Sequence, residues 1–377
     1  MSPNGSDSRA KPTAPEAPPR APGLDGLRGI AAVVVLVHHC LLTVPALAAP
    51  YFGGTPQASA WPVVVAAWTP LHLVWAGGEA VTVFFVLSGF VLVLPLTRTR
   101  LDVVSYYPRR LLRLYGPVVP IALVGTLLAW LVPRGHGAEW GPWLASRGDP
   151  SPGGLLHDLS LVAGVSRVVS PLWSLQWEVW FSVLLPVFAV AALWVARSRV
   201  IGALAALALL GLIAFPVNLA SQYLPVFALG SLLAAKHQAI TRHVQRLPVG
   251  AAYGLAGVAA LGLTSRWVLG ASNAVVAAAA VTLVALAFAR VEIARGLSIR
   301  AFRWLGAISF SLYLVHEPIV LAVAYLGGPS RPWWWVVIPV PIALGVAMAF
   351  YRWIERPIHR LSRDLGATLD RRRTKVE

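Results

Sequence analysis

The sequence predicts an all-α protein: a polytopic transmembrane helical bundle of about ten spans, with both termini cytosolic. Three observations lead there. Of 377 residues, 57% are hydrophobic and 12% charged, whereas a soluble domain carries about 25% charged residues. The mean hydropathy is +0.69. The apolar residues gather into ten runs of roughly the length that crosses a hydrocarbon core about 30 Å thick. The basic residues follow the positive-inside rule. With the N-terminus inside, 26 Lys and Arg fall on inner segments and 5 on outer ones. One span more or fewer would scramble that split.

Residues 1–22 are rich in Pro, Ala and Ser. Such a stretch cannot build a core, so a disordered cytosolic tail is expected. It lacks the short apolar region and cleavage site of a signal peptide. The ten runs then lie at about 26–48, 72–96, 111–132, 171–195, 199–215, 219–235, 248–265, 271–290, 304–326 and 333–354. Residues 359–377 close the chain as a basic cytosolic tail.

The first span carries Arg28 and His39, eleven residues and close to three helical turns apart. They share one face, with Asp25 joining it three residues before Arg28. His39 stands about 16 Å beyond Arg28 along the axis. With Arg28 at the headgroups, that puts an imidazole near mid-membrane, where an ionisable group marks function. His38 points about 100° away and is the weaker candidate. Cys40 adjoins His39, but neighbours in sequence do not face each other on a helix, so it reads as a packing cysteine. As the only cysteine, it excludes an intrachain disulfide.

In the second span, Glu79 lies near the outer end and reads as a solvated interfacial carboxylate. Ser88-Gly89 permits close helix packing. The third span is entered through Arg109-Arg-Leu-Leu-Arg113. Arg109 and Arg113 are one turn apart and share a face. Guanidiniums placed there bind phosphates bidentately or anchor the helix to the inner surface. The longest outer segments, 49–71 and 133–170, hold Trp61, Trp68, Trp140 and Trp143, residue types that suit the membrane interface first and sugar stacking second. In the fourth span, Ser174, Glu178 and Ser182 form a polar stripe at spacing four. A glutamate two turns into the membrane must face protein or a wet cavity, and Glu178 is a candidate partner for a buried imidazole. Spans five and six are short, separated by Pro216-Val-Asn218, and fit either a hairpin or a re-entrant element. In the ninth span, Ser309, Tyr313 and His316 or Glu317 share a face, and His316 is a second mid-membrane histidine. Glu355-Arg-Pro357 ends the last span, where cap or ion-pair roles suffice.

The charge of +16 sits between apolar runs rather than on a soluble face, which argues against nucleic acid. There is no His-Glu-x-x-His pattern, cysteine cluster, dinucleotide fingerprint or Walker loop, so neither a metal nor a bound cofactor is expected.

The ordered set Leu24-Asp-Gly-Leu-Arg-Gly29 with His39, Phe84-Phe-Val-Leu-Ser-Gly-Phe90, Arg109-Arg-Leu-Leu-Arg113, Trp173-Ser-Leu with Glu178, Ile308-Ser-Phe-Ser-Leu-Tyr-Leu-Val-His316 and Glu355-Arg-Pro357 resembles the membrane acyltransferase-3 family. The likeness covers about residues 23–358. Two positions depart from the pattern. Thr82 stands where the family often has an aspartate, and Arg113-Leu-Tyr-Gly-Pro117 replaces its Arg-x-Tyr-Pro. The resemblance implies O-acylation: an acyl group, commonly acetyl, passes from acyl-CoA to a hydroxyl of a sugar, glycan, lipid or natural product.

On that reading Arg28, Arg109, Arg110 and Arg113 bind the donor's phosphates from the cytosol. His39 acts as general base, with Glu178 or another acid orienting it and His316 nearby. Ser88, Glu79, Ser174 and Tyr313 line the substrate path. A covalent acyl intermediate on Ser88, Tyr313 or His39 is the other route. A multi-pass protein of the plasma membrane is expected, and the Ala-, Arg- and Pro-rich composition points to a bacterial source. The rival classes are a transporter or flippase, and a non-catalytic acyl-binding membrane protein.

Overall fold

The computed structural model describes residues 22–373, with side chains through residue 369. The expected N-terminal tail lies outside them. Every regular element among the described residues is helical. The principal helices are α1 (Pro22–Leu42), α2 (Gly77–Val93), α3 (Val103–Leu131), α4 (Leu172–Val183), α5 (Leu185–Val195), α6 (Arg199–Ala214) and α7 (Leu219–Ala235). Then follow α8 (His237–Arg246), α9 (Val249–Leu269), α10 (Asn273–Ala289), α11 (Val291–Leu297), α12 (Arg300–Leu326), α13 (Pro339–Phe350) and α14 (Arg356–Arg373).

Each of the ten apolar runs falls on one straight helix or one bent pair. Five helices are long and apolar enough to cross a membrane, and up to eight segments are if each bent pair is one span. The remaining two runs are the shorter apolar helices α6 and α7. They meet at a tight corner where Asn218 accepts from the Ser221 N–H and Ser221 accepts from the Asn218 N–H, a reciprocal cap that starts α7. Large apolar side chains such as Leu127, Val190, Leu207 and Val258 stand exposed on the outer faces. An apolar surface of this kind is what lipid covers.

The bends have local causes. Pro186 opens α5 without an N–H to continue α4, and the two halves turn by 67°. Pro248 precedes α9, which turns 118° from the polar α8. At the 96° corner between α10 and α11, the Arg290 guanidinium donates to the Gln245 carbonyl at 3.0 Å, tying the corner to the end of α8.

The first helix is the wall between the two halves of the core. Ala32, Leu36 and Cys40 pack with α3, α4, α12 and α13. Leu24, Ala31 and Val35 pack with α2, α7 and α10. Its approach to α12 depends on glycine. A Cβ built on Gly29 would stand 2.6 Å from the Gly306 nitrogen, and one on Gly306 would meet the Asp25 carbonyl. The glycines of the opening motif are thus packing residues, as small residues are at membrane helix crossings. Gly89 and Gly230 make the same exchange between α2 and α7, each against the other helix's backbone. Because backbone cannot yield as a side chain can, Gly306→Ala is expected to cost about 1–3 kcal/mol. A lowered thermal transition of the purified protein checks this; an unchanged one refutes the tight crossing.

The segments between α1 and α2 and between α3 and α4, expected on the outer side, are folded rather than loose. Both cap the end of α1 beyond His39 with short helical turns. In the second of them Asp158 is fully buried and accepts from both the N–H and the hydroxyl of Ser166 at 2.6 Å. Burial holds its carboxyl above the usual range, against the pull of those donors. At the other end of the molecule, the basic segment expected as a tail continues as helix to Arg373. It lies along α3, with Ile358 over Gly116 and Gly366 under the Arg109 side chain. A single turn of π-helix, Tyr351–Glu355, joins it to α13 and turns Glu355 inward.

Candidate active site

His39, in the last turn of α1, meets His316 at mid-length of α12. The His39 Nδ1 lies 3.0 Å from the Val35 carbonyl and 3.0 Å from the His316 Nε2. The His316 Nδ1 lies 3.1 Å from the Leu312 carbonyl. A carbonyl only accepts, so both Nδ1 atoms carry the proton of a neutral ring. His316 Nε2 therefore accepts, and the His39 N–H is shared between it and Val35. Among the described residues, this leaves His39 Nε2 with its lone pair uncommitted. The two rings are 4.8 Å apart, and the Trp143 ring stands 5.6 Å from His39.

His38 faces away, as helical geometry predicts, and donates from Nδ1 to the Trp75 carbonyl at 2.9 Å. Its ring fills the space over Gly77, where a Cβ would stand 2.5 Å from it.

Beyond the pair, Glu317 is wholly buried and salt-bridged to Arg147 at 3.1 Å. It also accepts from the Ser170 N–H at 2.6 Å and from the Ser170 hydroxyl. Arg147 in turn donates to the Trp143 carbonyl and lies 4.9 Å over the Trp143 ring. This network holds Trp143 against His39. Trp143 is therefore not an interfacial residue: its loop folds back into the core, where it is 4% exposed.

On the opposite side, toward Arg28, a cavity of about 270 Å³ opens between α1, α2, α3, α4 and α12. Arg28, Arg110 and Arg113 line one end, with Glu178, Glu355 and His359 among them. Phe84, Leu87, Leu175 and Phe310 form apolar walls, and Ser88 and Ser309 add hydroxyls. Ser174 and Tyr313 line it too. Tyr313 Oη lies 2.7 Å from the Ser174 hydroxyl and 3.2 Å from the Pro171 carbonyl. Its ring is 5.7 Å from that of His316. Neither histidine of the pair lines the cavity; Tyr313 stands between.

Several expected partnerships are replaced. Glu178 pairs with Arg110, not with an imidazole, while Arg110 also donates to Ser182 at 2.9 Å. The polar stripe of α4 thus faces α3 at its Glu178 end and reaches Tyr313 only through Ser174. Arg109 does not line the cavity. Its side chain lies against Gly366 and its carbonyl accepts from Ser362 at 3.1 Å, so Arg110 and Arg113 form the α3 contribution. Glu79 is not solvated; it is 6% exposed and accepts from the Trp267 indole at 3.0 Å. It belongs to an aromatic cluster with Tyr51, His72 and Trp75, outside the cavity. Thr82 donates only to the Gly78 carbonyl of its own helix. The place at His39 Nδ1 that a carboxylate would fill is taken by His316.

The sequence did not reveal Arg147, Trp143 or His359 as site residues, and it read Glu355 as a surface residue. Glu355 is 3% exposed, accepts from Ser311 and lies 3.8 Å from the His359 Nε2.

No curated protein and no solved structure matches this chain. A family model described as an acyltransferase domain matches residues 22–352, which include both histidines and all of the cavity's lining except Glu355 and His359. The chain belongs to the acyltransferase-3 family and is an acyltransferase.

Proposed function

We propose that this protein is a multi-pass enzyme of a bacterial plasma membrane, crossing it ten times with both termini inside. It moves an acetyl or other short acyl group from acyl-CoA to a hydroxyl of a sugar, glycan, lipid or natural product. The observation that carries this is the uncommitted His39 Nε2, one tyrosine ring past an apolar cavity whose far end is cationic. The thioester arm enters from the arginine end, and the acceptor arrives from the side capped by the outer segments.

In the reaction, His39 Nε2 takes the proton of the acceptor hydroxyl as the oxygen attacks the thioester carbonyl carbon. The tetrahedral oxyanion collapses, the carbon–sulfur bond breaks, and the leaving thiolate takes the proton back from His39. While His39 is cationic, its Nδ1–H bonds to the His316 Nε2. The second histidine does for this imidazolium what a carboxylate does elsewhere. Arg110 is held by Glu178, which leaves Arg28 and Arg113 as the freer cations for donor phosphates.

The test is free CoA released from acetyl-CoA by the purified protein, with a panel of sugar, glycolipid and small hydroxyl acceptors. Acceptor-dependent release, with the acylated acceptor recovered, is the expected result. Movement of an unmodified solute across vesicles without CoA release would make the protein a transporter instead.

A further inference from the structure

A second cavity, about 480 Å³, adjoins the first and shares Arg113 and His359 with it. Its other lining residues are Tyr351, Arg356, Arg360 and Arg363. The three new arginines follow one another at spacings of four and three, so they share a face of α14. Among the described residues, no acidic side chain lines this space. Among the described residues, no ion pair or hydrogen bond holds the guanidiniums of Arg356, Arg360 or Arg363. Arg113 donates from Nε to Ser362 at 3.1 Å and keeps its remaining N–H groups.

Four guanidiniums around one open space repel one another until an anion fills it. The two cavities together ask for one shape of ligand: a slender arm in the first, charged only where it passes Arg28 and Arg113, and a further cluster of phosphates in the second. We infer that α14 forms a phosphate cradle for the nucleotide end of coenzyme A, completing the donor site from outside the matched family domain, which stops at residue 352. This rests on the proposed acyl-CoA donor. The docking face of α14 is separate from the cradle. Ile358, Ser362 and Gly366 hold it to α3, leaving the arginines to the ligand. A planar guanidinium suits phosphate because it donates two parallel N–H groups.

The experiment uses the full chain and the triple variant Arg356→Gln/Arg360→Gln/Arg363→Gln. KM is measured for acetyl-CoA, acetyl-dephospho-CoA and acetyl-pantetheine in detergent. It is measured again in phosphatidylcholine bilayers, alone or with phosphatidylglycerol. The triple variant should raise KM for acetyl-CoA by about 10–100-fold. It should raise that for acetyl-dephospho-CoA by less and leave acetyl-pantetheine unchanged. Arg360→Gln alone, a milder change, should show the same order with smaller ratios.

Equal losses for acetyl-CoA and acetyl-pantetheine, or no loss for acetyl-CoA, would overturn the cradle. A loss seen only with phosphatidylglycerol present would assign the arginines to a lipid headgroup and overturn it too. If the wild type neither binds acetyl-CoA or a longer acyl-CoA nor releases a thiol from either with any acceptor of the panel, the acyl-CoA reading itself fails. If the wild type turns over and the variant matches it, only the cradle fails.

Discussion

Alanine at position 39 is expected to lower kcat for acyl transfer by about 10²–10⁴-fold, the range of a positioned general base. Acetyl-CoA affinity should hold, because His39 lies past Tyr313 and does not line the cavity proposed for the donor. The expectation follows from one nitrogen. Nδ1 is engaged by Val35 and His316, and only Nε2 is open to a hydroxyl. On the proposed reading His316 positions His39 through that contact, so the two should behave as one unit. A double variant with alanine at both positions should fall no further than His39→Ala alone. Substantial turnover by His39→Ala would remove it as the base. A double variant far below both singles would separate the two histidines.

The second large effect concerns the ion pair beyond them. Glu317→Leu leaves Arg147 buried without its counter-charge and strips Ser170 of its acceptor. Breaking a buried pair from one side costs about 3–5 kcal/mol. A strongly lowered thermal transition is therefore expected for Glu317→Leu, and likewise for Arg147→Met. The two together should cost much less than their sum, because no uncompensated charge remains. Additive losses would show that the contact contributes little. Trp143 fluorescence, compared with a Trp143→Phe background, would show whether the network also holds that ring against His39.

Helical periodicity placed the first-helix residues well. Spacing put Arg28 and His39 on one face and turned His38 away, and Arg28 lines the cavity while His39 meets His316. Spacing also aligned Ser174, Glu178 and Ser182. What it cannot supply is the neighbour across the interface. Glu178 had several cationic or imidazole partners within reach of an α4 face, and only the packing of α3 selects Arg110. Arg109 and Arg113 share a face, yet α14 covers Arg109, and nothing in residues 109–113 announces that helix.

Trp143 looked interfacial because its segment is aromatic and was expected to be outer. The signal that its loop turns inward is Arg147, whose partner Glu317 lies 170 residues away. Glu355 looked terminal because it ends an apolar run; a π-turn rotates it into the cavity. The bends at Pro186 and Pro248 were legible as prolines, but their angles were not. The C-terminal arginines read as a solvated charge run because composition hides the buried Ser362 and the small Gly366 four residues later, which let α14 lie flat on α3.

The plug formed by Tyr313, Ser174 and the paired rings has a consequence for the cell's energy supply. With the arginine end inward, as proposed, the cytosolic cavity ends at that plug, and buried Leu144, His316 and Glu317 lie behind it. On the proposed route the exchange of acyl group and proton takes place at this plug. On that route the acyl group passes to the acceptor oxygen and the hydroxyl proton passes to the leaving thiolate, so a turnover moves no net charge from one side to the other. Acyl transfer by that route would draw nothing from the membrane potential, however many copies of the protein an energised membrane carried.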